Sequence, residues 1–209
     1  LQGLSLQNVT LKVLKPNGKS LTEHTGDLLF THFGISGPIA LRCSTFVKKQ
    51  QEKSGNATLS LDLFPQKSQL ELKTLLETKL QHSTKKLSNL WHGLLPEKLL
   101  LFFLEQLNLL NTTASETRKQ DLLDFCQLAK NWLLTANDIF PVEKAFVTKG
   151  GISLKEVNPK TMESKLISGL FFAGEVLDIN GYTGGYNLTA AFSTGFVAGK
   201  HAGEKSSSF

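Results

Sequence analysis

The residue types best suited to chemistry are concentrated in the stretch Gly169–Gly199, GLFFAGEVLDINGYTGGYNLTAAFSTGFVAG. Gly174 ends an apolar run, Leu170–Ala173, that reads as a short buried strand, and the polar Glu175 and Asp178 follow in the loop beyond it. Gly181, Gly184 and Gly185 then stand immediately ahead of a helical segment from about Tyr186 to Lys200, with Asn187 and Leu188 in its first turn. Glycines let backbone N–H groups approach a ligand closely, and the first N–H groups of a helix have no acceptor of their own. A strand, a glycine-rich turn and a helix N-terminus together form a site for an electron-rich group. Spacing alone equally allows ordinary turns between a strand and a helix. Within the helix, Leu188, Ala191, Phe192, Gly195 and Gly199 share one face, whose small members suit close packing on a sheet.

Other chemistries find little support. The two cysteines, Cys43 and Cys126, lie far apart among apolar neighbours and read as buried free thiols in a reducing compartment. The five histidines have no ligand spacing with one another or with the cysteines, so no metal is expected. His32, in Thr31-His32-Phe33-Gly34, reads as a structural residue of a strand rather than a base. Nucleophile elbow, P-loop and paired-cysteine motifs are lacking, which removes hydrolase, phosphoryl-transfer and dithiol mechanisms. Gly150-Gly151, after Phe146-Val147-Thr148, reads as a hairpin turn.

Three segments, in order, carry a resemblance: Gly26–Pro38 (GDLLFTHFGISGP), Ala145–Ser164 (AFVTKGGISLKEVNPKTMES) and the FAGEVLDINGYTGGYNL run. Together they resemble the aminoacetone oxidase-like family of FAD-dependent oxidoreductases. The resemblance implies FAD as cofactor, hydride transfer from a small substrate, such as an amine, to flavin N5, and cytoplasmic location. It implies that Glu175 accepts hydrogen bonds from the ribityl region, that the N–H groups of Gly185, Tyr186, Asn187 and Leu188 face the flavin pyrimidine edge, and that Gly150 and Gly151 approach the ring. Gly174, Asp178 and Gly184 complete the expected flavin contacts; Asp178 reads equally as a loop cap. No particular catalytic residue is implied. The family opens with a strand–GxGxxG–helix unit for the ADP half of FAD, and this sequence contains no GxGxxG. The chain therefore reads as a C-terminal portion of a flavoprotein whose ADP half-site lies elsewhere, inactive and without firmly bound FAD when alone. A non-catalytic binding or scaffolding module is the alternative reading.

The elements that must position these residues follow from periodicity. The expected class is α+β: a β-rich, barrel-like substrate domain over 1–65 and 131–143, an inserted helical subdomain over 66–130, and a Rossmann-like strand–loop–helix piece over 144–209. Leu4–Leu14 alternates as a strand, with a slip at Gln7–Asn8 that predicts a bulge before the Pro16–Lys19 turn of a hairpin. Pro38 fits the first position of a helix over Ile39–Lys49, and Ala57–Phe64 returns to strand. Ser68 and Glu71 have capping-box spacing, and further helices are predicted over Pro96–Leu110 and Ser115–Lys130. Strands are expected over Trp132–Phe140, Ala145–Thr148 and Ile152–Val157. The net charge of +5 is carried by scattered lysines. Lys48–Lys53 and Lys85–Lys86 read as solvated faces, so the expected partner is a small-molecule substrate and not nucleic acid or membrane. Leu170, Phe172 and Phe192 would need cover, from the insert or by self-association.

Overall fold

The computed structural model describes residues 1–140, 148–181 and 185–206. They form two compact units, Leu1–Ile139 and Phe140–Phe209. In the first unit, β1 (Ser5–Leu14) and β2 (Ser20–Phe30) make a hairpin. The turn closes at Gly18, which takes φ 77° and donates its N–H to Lys15 at 2.9 Å. The slip near Gln7–Asn8 is a bulge: the register shifts between Leu6 and Val9, and Asn8 takes φ 52°. With β3 (Ile35–Ser36), β4 (Ala57–Asp62) and β5 (Trp132–Ala136), these strands build a curled antiparallel half-barrel in the order β3-β2-β1-β4-β5. Because side chains alternate along a strand, Leu11, Val13, Leu59, Leu61 and Trp132 share one face, while Thr10, Lys12 and Ser60 share the other.

Helix α1 (Pro38–Ser54) begins at the expected proline and passes Lys49 to end at Gly55, which adopts the left-handed conformation. Its buried residues Ile39, Cys43, Val47 and Gln50 recur at helical spacing, and Gln50 donates to the Leu14 carbonyl at 3.1 Å. Gly37, just before it, has φ 101°, and a Cβ there would lie 3.0 Å from the Asp27 carbonyl oxygen. The helix therefore seats against β2 only because this position lacks a side chain.

Helices α2 (Gln69–Leu80), α3 (Leu87–Leu90), α4 (Glu97–Gln106) and α5 (Lys119–Lys130) occupy the segment between β4 and β5. The Ser68–Glu71 capping box forms: Glu71 N–H donates to Ser68 Oγ at 3.2 Å, and Ser68 N–H to Glu71 Oε2 at 2.7 Å. Helix α4 stops short of Leu110, and α5 starts after Ser115 because Ala114–Glu116 is a separate 3₁₀ turn with its own Thr113–Glu116 cap. The helices bury Leu72, Leu76, Trp91, Phe103 and Phe125, and Phe103 meets Trp132 of the sheet edge-on at 5.1 Å. Lys130 fastens both ends of this segment: its ammonium donates to Asp62 Oδ2 at 2.8 Å and to the Phe64 and Lys67 carbonyls at 2.7 and 2.6 Å.

Strand β5 ends at Ala136 rather than Phe140, since β4 offers it partners only from Ala57 to Leu61. In the second unit the expected strands Ile152–Val157 and Leu170–Ala173 do not form. Their backbones make isolated pairs, Ile152 with Leu177, Val157 with Ser164 and Glu163 with Phe171, and Leu154–Glu156 coils into a 3₁₀ turn. A strand requires a continuous partner, and these apolar runs instead pack on a small core of Val157, Met162, Leu177 and Ala198. The expected strand at Ala145–Thr148 falls largely outside the described residues. Helix α6 (Tyr186–Ser206) extends past Lys200. It packs by Val197 and Ala198, whereas Leu188, Phe192 and Phe196 are 66, 77 and 74% exposed. The face expected to lie on a sheet is thus the outward one.

Candidate functional site

The second unit brings together most of the residues proposed for flavin contact. Ile152 ties two of the loops: its N–H donates to the Val176 carbonyl at 2.7 Å, and its own carbonyl accepts from Asp178 N–H at 3.0 Å. Gly151, just before it, has φ 138°, and a Cβ there would sit 2.3 Å from the Val176 oxygen. Its need for glycine is therefore met within the chain. Gly150 is different: it has φ 102° with nothing within 4 Å of a Cβ position.

Gly174–Val176 is a 3₁₀ turn, and Glu175 at its centre is held from outside it. Thr148 donates its N–H and its hydroxyl to Glu175 Oε1, at 2.9 and 3.1 Å. These two bonds, the backbone one the stronger, hold the carboxyl below its ordinary value, so it is an anion at neutral pH with Oε2 still able to accept a hydroxyl. Gly174 has φ 74° and open space at its Cβ position, and its N–H donates to Thr194 Oγ1 of α6 at 3.0 Å. The Thr194 hydroxyl in turn donates to the Ala190 carbonyl at 2.7 Å. Asp178 Oδ1 accepts a hydrogen bond from Asn180 Nδ2 at 3.0 Å.

At the start of α6, Asn187 clasps Gly181, accepting its N–H at 2.9 Å and donating to its carbonyl at 3.1 Å. A Cβ on Gly181 would approach Tyr186 Cβ to 2.7 Å. The Asn187 side chain thus shapes the loop, and only its backbone remains for a ligand. Gly185 has φ 86° and open space, and Tyr186 and Leu188 are 67 and 66% exposed. Gly184 lies outside the described residues. Thr148 and Thr194 are the functional residues that sequence reasoning missed. Each acts on a partner 27 or 20 residues away, and no local pattern marks such a pairing.

The site accordingly has two classes of glycine. Gly151 and Gly181 are closed by their own chain, whereas Gly150, Gly174 and Gly185 are left-handed with open Cβ positions among the described residues, Gly174 next to the Glu175 carboxylate and Gly185 at the start of α6. Open backbone with positive partial charge fits a planar, electron-rich group such as a flavin ring. Among the described residues, no cluster of three or more His, Cys, Asp and Glu could hold a metal. His32 lies in the first unit, exposed on the turn between β2 and β3, its ring centroid 3.9 Å from that of Phe33.

Comparison with known proteins identifies the family. Residues 1–147 match the profile of the HI0933-like protein barrel and H2TH domain. The chain belongs to this family. Its members are FAD-dependent oxidoreductases. Residues 145–208 of the HI0933-like chain match a second profile, glucose inhibited division protein A. Among relatives, a 3-dehydro-bile acid delta(4,6)-reductase of Clostridium scindens is 32% identical over 88% of the chain and 46% of its own length. The ribosomal RNA dihydrouridine synthases of Haemophilus influenzae and Escherichia coli are 35 and 28% identical, each over 94% of the chain and 46% of their own lengths. The HI0933-like chain thus spans about half the length of these relatives. Among its described residues, no helix is long and apolar enough to cross a membrane.

Proposed function

We propose that the chain is the substrate-domain and flavin-contacting portion of an FAD-dependent reductase that adds hydrogen across a polarised carbon–carbon double bond. The observation that carries the flavin site is the set of left-handed glycines with open Cβ positions among the described residues: Gly150 and Gly174, which flank the Thr148–Glu175 pair, and Gly185 at the start of α6. Once reduced by an external donor such as a reduced nicotinamide, a bound FAD would supply the hydride from N5, with a proton from solvent completing the addition. The chain's own part is to present N–H groups of the first α6 turn to the ring's electron-rich edge, to hold ribityl hydroxyls on Glu175, and to orient that carboxylate through Thr148. The ADP half of FAD would be bound by a GxGxxG unit not contained in these residues.

The direction of transfer follows the relatives. Both relatives' activities, a delta(4,6)-reductase and a dihydrouridine synthase, are additions of hydrogen to a double bond conjugated with a carbonyl. The base of uridine in RNA is the substrate favoured here, because the relatives named for it align over 94% of the chain. Oxidation of a small amine, which the aminoacetone oxidase-like resemblance suggests, is the second reading. Anaerobic titration of the complete flavoprotein, with its ADP half-site present, separates the two. A reduced nicotinamide is expected to bleach the flavin, and uridine-containing RNA to restore its colour. Bleaching by aminoacetone but not by the nicotinamide would overturn the reductase reading.

A further inference from the structure

Two loops remote in sequence, each leading into a helix that is preceded or opened by a pair of basic residues, are joined on the surface of the helical segment. Lys85 and Lys86 lead into α3, while Arg118 and Lys119 open α5. Backbone bonds lace the two loops together. Lys86 bridges Thr113, Ala114 N–H donates to the Lys85 carbonyl at 3.0 Å, and Leu87 N–H donates to the Thr112 carbonyl at 3.0 Å. All four basic residues are exposed, with the Arg118 side chain at 78%.

The carboxylates of the second loop are already engaged with their own backbone. Glu116 accepts the Thr113 N–H at 2.9 Å, and Asp121 accepts the Arg118 N–H at 2.8 Å together with its guanidinium. Among the described residues, the ion pairs involve neither Lys85, Lys86 nor Lys119. Lys86 instead donates to Asn111 Oδ1 at 3.0 Å. Asn111, Asn108 and Arg118 also line an open depression of about 570 Å³. Cations and amides held on rigid loops can neutralise phosphates and hydrogen-bond to them, and such contacts recognise the shape of a nucleic acid without stacking on its bases.

Resting on the reading that the substrate is uridine in RNA, we propose that Lys85, Lys86, Arg118 and Lys119 form a docking surface for the phosphate backbone of folded RNA. This partner departs from the small molecule expected from the sequence. There, the two basic pairs are separated by some 30 residues and appear as scattered charge.

The test follows a fluorescent RNA hairpin, with a stem of about 20 base pairs and a uridine-bearing loop, by anisotropy at several salt concentrations. The wild-type chain is expected to bind saturably. The double variant Lys85→Gln/Lys86→Gln should weaken binding about tenfold and lower the slope of log affinity against log salt by about one to two. The control Lys48→Gln/Lys49→Gln removes the same charge from an exposed pair on α1 and should stay within about twofold of wild type. Circular dichroism verifies that each variant is folded before titration. Equal weakening by the two variants, no saturable binding by wild type, or binding to anionic lipid vesicles in preference to the hairpin would overturn the proposal. Flavin bleaching by reduced nicotinamide is measured separately, so failure of the docking surface and failure of the reductase reading give different results.

Discussion

Gly18 and Gly185 provide a controlled comparison at the scale of single residues. They have φ 77° and 86°, and among the described residues neither has an atom within 4 Å of its Cβ position. Valine at either site therefore meets a similar backbone penalty, about 1–2 kcal/mol or somewhat more for a branched side chain. Their surroundings differ: Gly18 closes a surface hairpin, and Gly185 precedes the first turn of α6. In the flavin-loaded protein, Gly185→Val is expected to lose most of its bound flavin while Gly18→Val retains it. Flavin absorbance per mole of purified protein measures this, and equal content in the two variants would place the flavin elsewhere. Gly151 is unsuitable for such a comparison, because its side chain would collide with the Val176 carbonyl whether or not a ligand is bound.

At the scale of elements, the helices between β4 and β5 share one sensitivity. Glu71, Glu116 and Asp121 each accept hydrogen bonds at the start of a helical turn, from Ser68, Thr113 and Arg118, and each is held below its ordinary value by those bonds. A carboxylate whose folded pKa is depressed contributes its stabilisation above the unfolded value, and loses it as pH falls through the folded one. With unfolded carboxylates titrating near pH 4, the contribution is complete at neutral pH and disappears progressively below about pH 4. The urea midpoint of the helical signal is therefore expected to be flat from pH 7 to 5 and to fall by pH 3. Glu71→Gln should reduce that fall. A midpoint unchanged between pH 5 and pH 3 would show that these caps contribute nothing to the fold.

At the scale of the whole molecule, the two units have unequal cores. The first buries a continuous cluster that runs from the sheet through α1 into the inserted helices, and the second encloses Val157, Met162, Leu177 and Ala198. Burial of less apolar surface gives less stability, so the second unit is expected to unfold at lower denaturant. Both tryptophans, Trp91 and Trp132, belong to the first unit, whereas α6 contributes helix signal from the second. Circular dichroism should accordingly lose part of its amplitude before tryptophan fluorescence changes. Coincident curves from the two probes would mean that the units unfold as one.

The sequence by itself determined the elements whose cause is local. Asn17-Gly18 fixed the first hairpin, Pro38 the start of α1, Ser68 with Glu71 the start of α2, and the glycines before Tyr186 the start of α6; each depends on groups within a few residues. Apolar periodicity likewise located the inserted helices, and the three resembling segments led to the flavoprotein family that the profiles confirm. Only the tertiary structure decided what depends on distant partners. Leu170–Ala173 has a strand's composition, yet it pairs only through Phe171 with Glu163, because a ladder needs a neighbour and not merely a pattern. Gly151 and Gly150 are adjacent and identical, but one is closed by Val176 and the other is open. Thr148 on Glu175, Thr194 on Gly174, and the backbone pairing of Lys85, Lys86 and Leu87 with Thr112, Thr113 and Ala114 span long stretches of chain. Sequence fixes which groups can bond; the path of the backbone through space decides which of them come within reach.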